Sequence, residues 1–119
     1  MSRQQEWAKG ALAKVLNAGK KDEAYVKKYN TACKKGASLV QRVGALQAMA
    51  FWMSRSDQEF RAFAEDIADV WQKAKAESVR DNLMKANTES YMALTRDLTE
   101  VALWFRRMAQ AELRVADEE

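Results

Sequence analysis

Not one proline interrupts this chain, and its only glycines are Gly10, Gly19, Gly36 and Gly44. Those two residue types end helices most sharply, so a sequence nearly free of them can run in long helical segments. The apolar residues use that freedom. Tyr25, Tyr29, Ala32, Gly36, Leu39, Val43, Leu46, Ala50 and Met53 follow one another in alternating steps of four and three, the repeat of a single helix face. This spacing predicts one helix, straight or kinked, from about Asp22 to Ser54. Gly36, Ala37, Gly44, Ala45 and Ala48 keep part of it thin, which suits the close approach of a second backbone.

The rest of the chain reads the same way. Ser2 with Gln5 makes a capping box, and Trp7, Ala8, Ala11, Leu12 and Val15 recur at helical spacing until Gly19 offers a stop. Ser56 with Glu59 makes a second capping box, opening a helix whose buried face is Phe60, Phe63, Ala64, Ile67, Trp71 and Ala74. Residues 77–87 form a short helix or turn carrying Leu83 and Met84. From near Thr88 a last helix presents Tyr91, Leu94, Leu98, Val101, Phe105 and Met108 as a seam like that of a coiled coil. No stretch alternates as a strand would. The expected fold is all-α, a single domain over residues 1–119 built as a bundle of five or six helices.

Composition narrows function mainly by exclusion. There is no histidine, which removes the commonest general base and the usual nitrogen ligand for metals. Four scattered glycines cannot build a phosphate-cradling loop. An enzyme is therefore not expected, nor is a cofactor or a metal. Glu65, Asp66 and Asp69 cluster, but without histidine at i+3 they lack the di-iron pattern and read as a solvated face. The single Cys33 allows no intrachain disulfide and fits a reducing cytoplasm. No apolar run approaches the roughly 20 residues of a membrane span, and the N-terminus lacks a signal-peptide core, so a cytoplasmic protein with no membrane partner is expected.

Charge is more informative. The net formal charge is only +3, yet residues 1–55 carry 11 Lys+Arg against 3 Asp+Glu, while residues 56–119 carry 9 against 14. Between Ala24 and Ser56 lie Lys27, Lys28, Lys34, Lys35, Arg42 and Arg55, with no acid among them. Lys21, Lys28, Lys35 and Arg42 are spaced by seven, as are Lys20, Lys27 and Lys34, so each set repeats along one side of a helix, every two turns or about 10.5 Å. Solvated helices usually intersperse glutamate at i±4. Its absence points to a face meant for a polyanion, read through phosphates without regard to base sequence. An exposed basic face with no partner is the plainer alternative.

Trp104, Phe105, Arg106 and Arg107 form an unbroken run in which only some can be core. Phe105 lies on the seam, Trp104 at its boundary or at a subunit contact, and both arginines point away. The plain reading pairs the arginines with Asp97, Glu100 and Glu112. Trp52 falls opposite the seam of the second helix, where it either covers a neighbouring helix or anchors a partner subunit.

Two stretches, SLVQRVGALQAMAFW (Ser38–Trp52) and SYMALTRDLTEVALWFRRMAQAE (Ser90–Glu112), resemble the small helical subunit of the type III-B CRISPR RNA-guided effector, the Cmr complex. The first is similar to that family's hydrophobic pair, Gly-Leu and Ala-Phe ending, here altered to Gly44-Ala45-Leu46. The second is similar to its Tyr–x3–Thr–x4–Glu pattern followed by Trp, two basic residues and Ala: Tyr91, Thr95, Glu100, Trp104, Arg106, Arg107 and Ala109. The family's Leu-Pro before the glycine is missing near Ala37-Ser38, which, like the uninterrupted seam, predicts no helix break there. The resemblance implies a non-catalytic subunit. Its copies would stack along the backbone subunit that carries the CRISPR RNA, beside the large polymerase-like subunit, and would help hold guide and target RNA together. On this reading Lys27, Lys28, Lys34, Lys35, Arg42, Arg106 and Arg107 contact RNA, while Trp52 and Trp104 lie at subunit interfaces. The competing expectation is a helical protein–protein adaptor whose basic half docks on an acidic partner without nucleic acid.

Overall fold

The structure is a computed structural model and describes residues 1–114. Among them it forms six helices and no strand: α1 (Arg3–Ala18), α2 (Glu23–Val43), α3 (Ala45–Ser54), α4 (Gln58–Gln72), α5 (Ala76–Lys85) and α6 (Thr88–Glu112). The two longest, α2 and α6, pack along each other, with α1 also against α6 and α3, α4 and α5 closing the remaining side. No helix of the described residues is long and apolar enough to cross a membrane. Asp117, Glu118 and Glu119, counted in the acidic half, and the end of the expected 1–119 domain lie outside the described residues.

Three of the six helix starts, those of α1, α2 and α6, follow from local chemistry. Ser2 Oγ accepts from the Gln5 amide at 3.2 Å, and Gln5 Oε1 accepts from the Ser2 amide at 2.8 Å, completing the expected box. Asp22 and Asn87 cap α2 and α6 in the same way, accepting from the amides of Tyr25 and Ser90. The box expected at Ser56–Glu59 does not form. Asp57 is the N-cap of α4, and its carboxylate turns to Arg55 (3.0 Å) and Lys28 (3.3 Å) rather than to the helix amides. Charged donors make stronger partners than backbone N–H groups, so the carboxylate goes to them.

The main departure is the second helix. It does not run from Asp22 to Ser54 but breaks at Gly44, whose φ of 87° and ψ of 164° suit a residue without a side chain. What holds the break is α6. The Ala45 amide donates to Thr95 Oγ1 at 3.1 Å and the Leu46 amide donates to Tyr91 Oη at 3.0 Å, so two orphan donors of α3's first turn are satisfied from a neighbouring helix. A Cβ on Gly44 would stand 2.6 Å from Tyr91 Oη. The apolar step pattern could not reveal this, because it continues across the break. Past Gly44 the buried face changes, and Ala45, Ala48, Met49 and Trp52 go inside in place of Leu46, Ala50 and Met53.

One core gathers these faces. Phe63 of α4 lies at its centre, edge-on to Tyr29 (5.9 Å), Trp52 (4.9 Å) and Phe105 (5.3 Å), a geometry favoured by the ring quadrupoles. Gly36 gives α2 its close approach: a Cβ there would meet Phe63 at 3.4 Å and Ala102 of α6 at 3.7 Å. Trp52, expected at a subunit interface, is 1% exposed and belongs to this core. The break turns α3, and α3 carries the indole inward.

Candidate nucleic-acid interface

The basic residues of α2 are all exposed: Lys27, Lys28, Lys34, Lys35 and Arg42. Tertiary structure treats them unequally. Lys28 is paired with Asp57 across the start of α4, and Arg55 shares that carboxylate. Their hydrogen bonds, Arg55 first and then Lys28, hold the Asp57 carboxyl below its ordinary range. The acid-free window thus ends one residue short of a neutralising acid. Among the described residues no ion pair reaches Lys27, Lys35 or Arg42.

Lys34, Lys35 and Arg42 line a groove of about 570 Å³ between α2 and the α3–α4 corner, with Arg55, Phe51, Trp52 and Phe60 on its other side. Among the described residues, none that lines it is acidic. Arg55 lies 5.3 Å from the centre of the Phe51 ring and 4.3 Å from that of Phe60. The rings hold the guanidinium by cation–π attraction while Asp57 orients its edge. Sequence reading counted Arg55 as basic but gave Phe51 no role. Their i, i+4 spacing, from α3 to its C-cap, was the available signal.

Arg106 and Arg107 are exposed on α6 but do not line the groove. Arg107 sits 5.2 Å over the Trp104 ring. Trp104 is half-buried, and its indole N–H donates to Gln4 Oε1 of α1 at 2.6 Å. Two of the three acids expected to pair with these arginines are engaged elsewhere: Asp97 binds Arg3 at 2.6 Å, and Glu100 accepts from Gln4. Of the candidate residues, Lys34, Lys35 and Arg42 line the α2 groove, Lys27 and Lys28 lie on α2 outside its lining, and Arg106 and Arg107 form an edge of α6 beside Trp104.

Glu65 and Asp69 are exposed, as a solvated face requires, and Asp66 is half-buried, but all three carboxylates also make structural contacts. Glu65 accepts from the Ala76 amide that starts α5 (3.0 Å), Asp66 accepts from Tyr29 Oη (2.7 Å), and Asp69 pairs with Lys14 (2.8 Å). Burial pushes the Asp66 carboxyl up, against the opposing pull of the Tyr29 hydrogen bond and Lys14.

Fold and surface together define a small helical domain that carries a basic groove on one side of a broken helix. Residues 3–112 match the family described as CRISPR-associated protein (Cas_Cmr5). The chain is 33% identical over 110 residues to a Thermus thermophilus protein named CRISPR system Cmr subunit Cmr5, covering 92% of this chain and 95% of that one. The crystal structure of a CRISPR-associated Cmr5 family protein from Thermus thermophilus superposes with a TM-score of 0.89 at 32% identity, covering 96% of this chain and 99% of the other. The chain belongs to the Cmr5 family of CRISPR-associated proteins.

Proposed function

We propose that this chain acts as one non-catalytic subunit of a type III-B Cmr effector in the cytoplasm, stacking along the complex and stabilising guide RNA on target RNA. Its partners are the CRISPR RNA and target RNA, the backbone and large polymerase-like subunits, and neighbouring copies of itself. The observation that carries the RNA part is the basic groove, with Lys35 and Arg42 exposed and separated by about 10.5 Å of helix rise. Such cations act by releasing counterions from phosphates, a contact that carries no base information. Lys34 lines the same groove, Lys27 lies on α2 outside its lining, and Arg106 and Arg107 offer a second basic edge. Lys28 contributes less, since Asp57 offsets its charge.

The test is a salt titration of target-RNA retention by the reconstituted complex. Lys35→Gln with Arg42→Gln should weaken retention to a similar degree for every guide sequence. The slope of log affinity against log salt should shrink by about 0.7 to 0.9 per lost contact in each copy. Both residues are exposed, so the fold should survive the change. An unchanged slope in a correctly assembled complex would leave the groove without an RNA role and favour the adaptor reading.

A further inference from the structure

Phosphate contacts alone leave one feature of the groove unused. Phe51 is 41% exposed, a large aromatic at the edge of a basic concavity, in a helix whose other large side chains are mostly buried. Leaving a phenyl ring wet costs free energy, and here it lines the same groove as Lys35 and Arg42. We infer that the groove receives an unpaired RNA nucleotide, its base stacked on Phe51 and its flanking phosphates on Lys35 and Arg42.

Three observations converge on this occupant. The groove's volume, about 570 Å³, lies within the ~300–1,000 Å³ of pockets that take small ligands. Its charge is complementary to phosphate, and its aromatic edge is complementary to a base, the combination used where single strands are held without sequence preference. A paired base hides both faces within the duplex and cannot use Phe51, whereas an unpaired one can. Arg55 completes the platform. It is fixed between Phe51 and Phe60 by the two rings and by Asp57, so its plane is pre-set instead of being ordered on binding. An acidic protein segment would satisfy the cations but would need only an apolar contact at Phe51, with no requirement for a π face.

This inference rests on the RNA-facing reading above, and its test separates the two. The full-length chain would be titrated at low salt with a fluorescein-labelled 15-nucleotide oligoadenylate and, separately, with a blunt 15-base-pair RNA duplex. Phe51→Leu keeps an apolar side chain and removes the π face, while Phe51→Tyr keeps it. We expect Phe51→Leu to weaken single-strand binding about tenfold, within the range set by one stacked base, and to leave duplex binding and the salt slope unchanged. Phe51→Tyr should bind like the parent. Equal binding by parent and Phe51→Leu would overturn the stacking site, and so would single-strand binding too weak to measure. Neither result touches phosphate contact with a duplex, which the Lys35→Gln, Arg42→Gln double variant reports. If Leu and Tyr are both tolerated and an acidic peptide competes for the groove, the surface is a protein contact.

Discussion

Asp66 shows how a single residue's role depends on what packs around it. In sequence it belongs to a cluster of acids, yet in the fold it accepts from Tyr29 and lies 3.9 Å from Lys14. Burial is the largest influence on its carboxyl and raises its pKa above 3.8. A raised acid binds its proton more readily in the folded chain than in the unfolded one. Its favourable contribution is therefore complete at low pH and is lost as pH climbs from 3.8 through the raised value. Asp66→Asn can still accept from Tyr29 but does not ionise. Urea denaturation across the mildly acidic range should show the parent losing stability relative to Asp66→Asn as pH rises, then levelling off. A parent that gains on the variant instead would mean that Lys14 outweighs burial. Cys33, fully buried on α2, has its thiol pushed far above its usual range by the same desolvation.

At the scale of an element, the break at Gly44 depends on α6. Tyr91 and Thr95, two residues of the family-like pattern, serve as caps for α3 from outside it. Gly44→Ala would force a side chain into a φ of 87° and against Tyr91 Oη, costing roughly 1–3 kcal/mol from backbone strain alone. Tyr91→Phe removes one cap and should cost about 0.5–2 kcal/mol. The two changes are coupled, because deleting the hydroxyl also deletes the atom nearest the new Cβ. In a double-mutant cycle, Gly44→Ala should therefore cost less in the Tyr91→Phe background than in the parent. Strict additivity in chemical denaturation would show that the hydroxyl does not hold the break.

For the whole molecule, burial of Trp52 removes the aromatic anchor that a tight two-fold dimer would have used. If the charge difference between the basic first half and the acidic second half drives self-association, the expected contacts are head-to-tail, which propagate as rows and do not close. Exposed ion pairs of this kind are weak and screened by salt. Sedimentation velocity should therefore find the isolated chain monomeric at micromolar concentration and physiological salt, with any self-association at low salt lost on adding more. A salt-resistant dimer would contradict this.

Helical class, the faces of α1, α4 and α6, and the acid-free basic stretch were all legible in the sequence, because periodicity, caps and charge are local properties. Phe105, Phe63 and Ile67 are buried where the spacing puts them. The break at Gly44 was not legible, since the seam runs through it unbroken and the groups that hold it come from Tyr91 and Thr95, far along the chain. What the break itself sets was hidden with it: the choice of an inward Trp52, the outward Phe51, and the corner that brings Asp57 to Lys28. The local pattern dictates which segments become helices. Only the packing of α6 against α2 decided where the second helix must end, because a satisfied hydrogen bond between distant residues leaves no periodic trace in either.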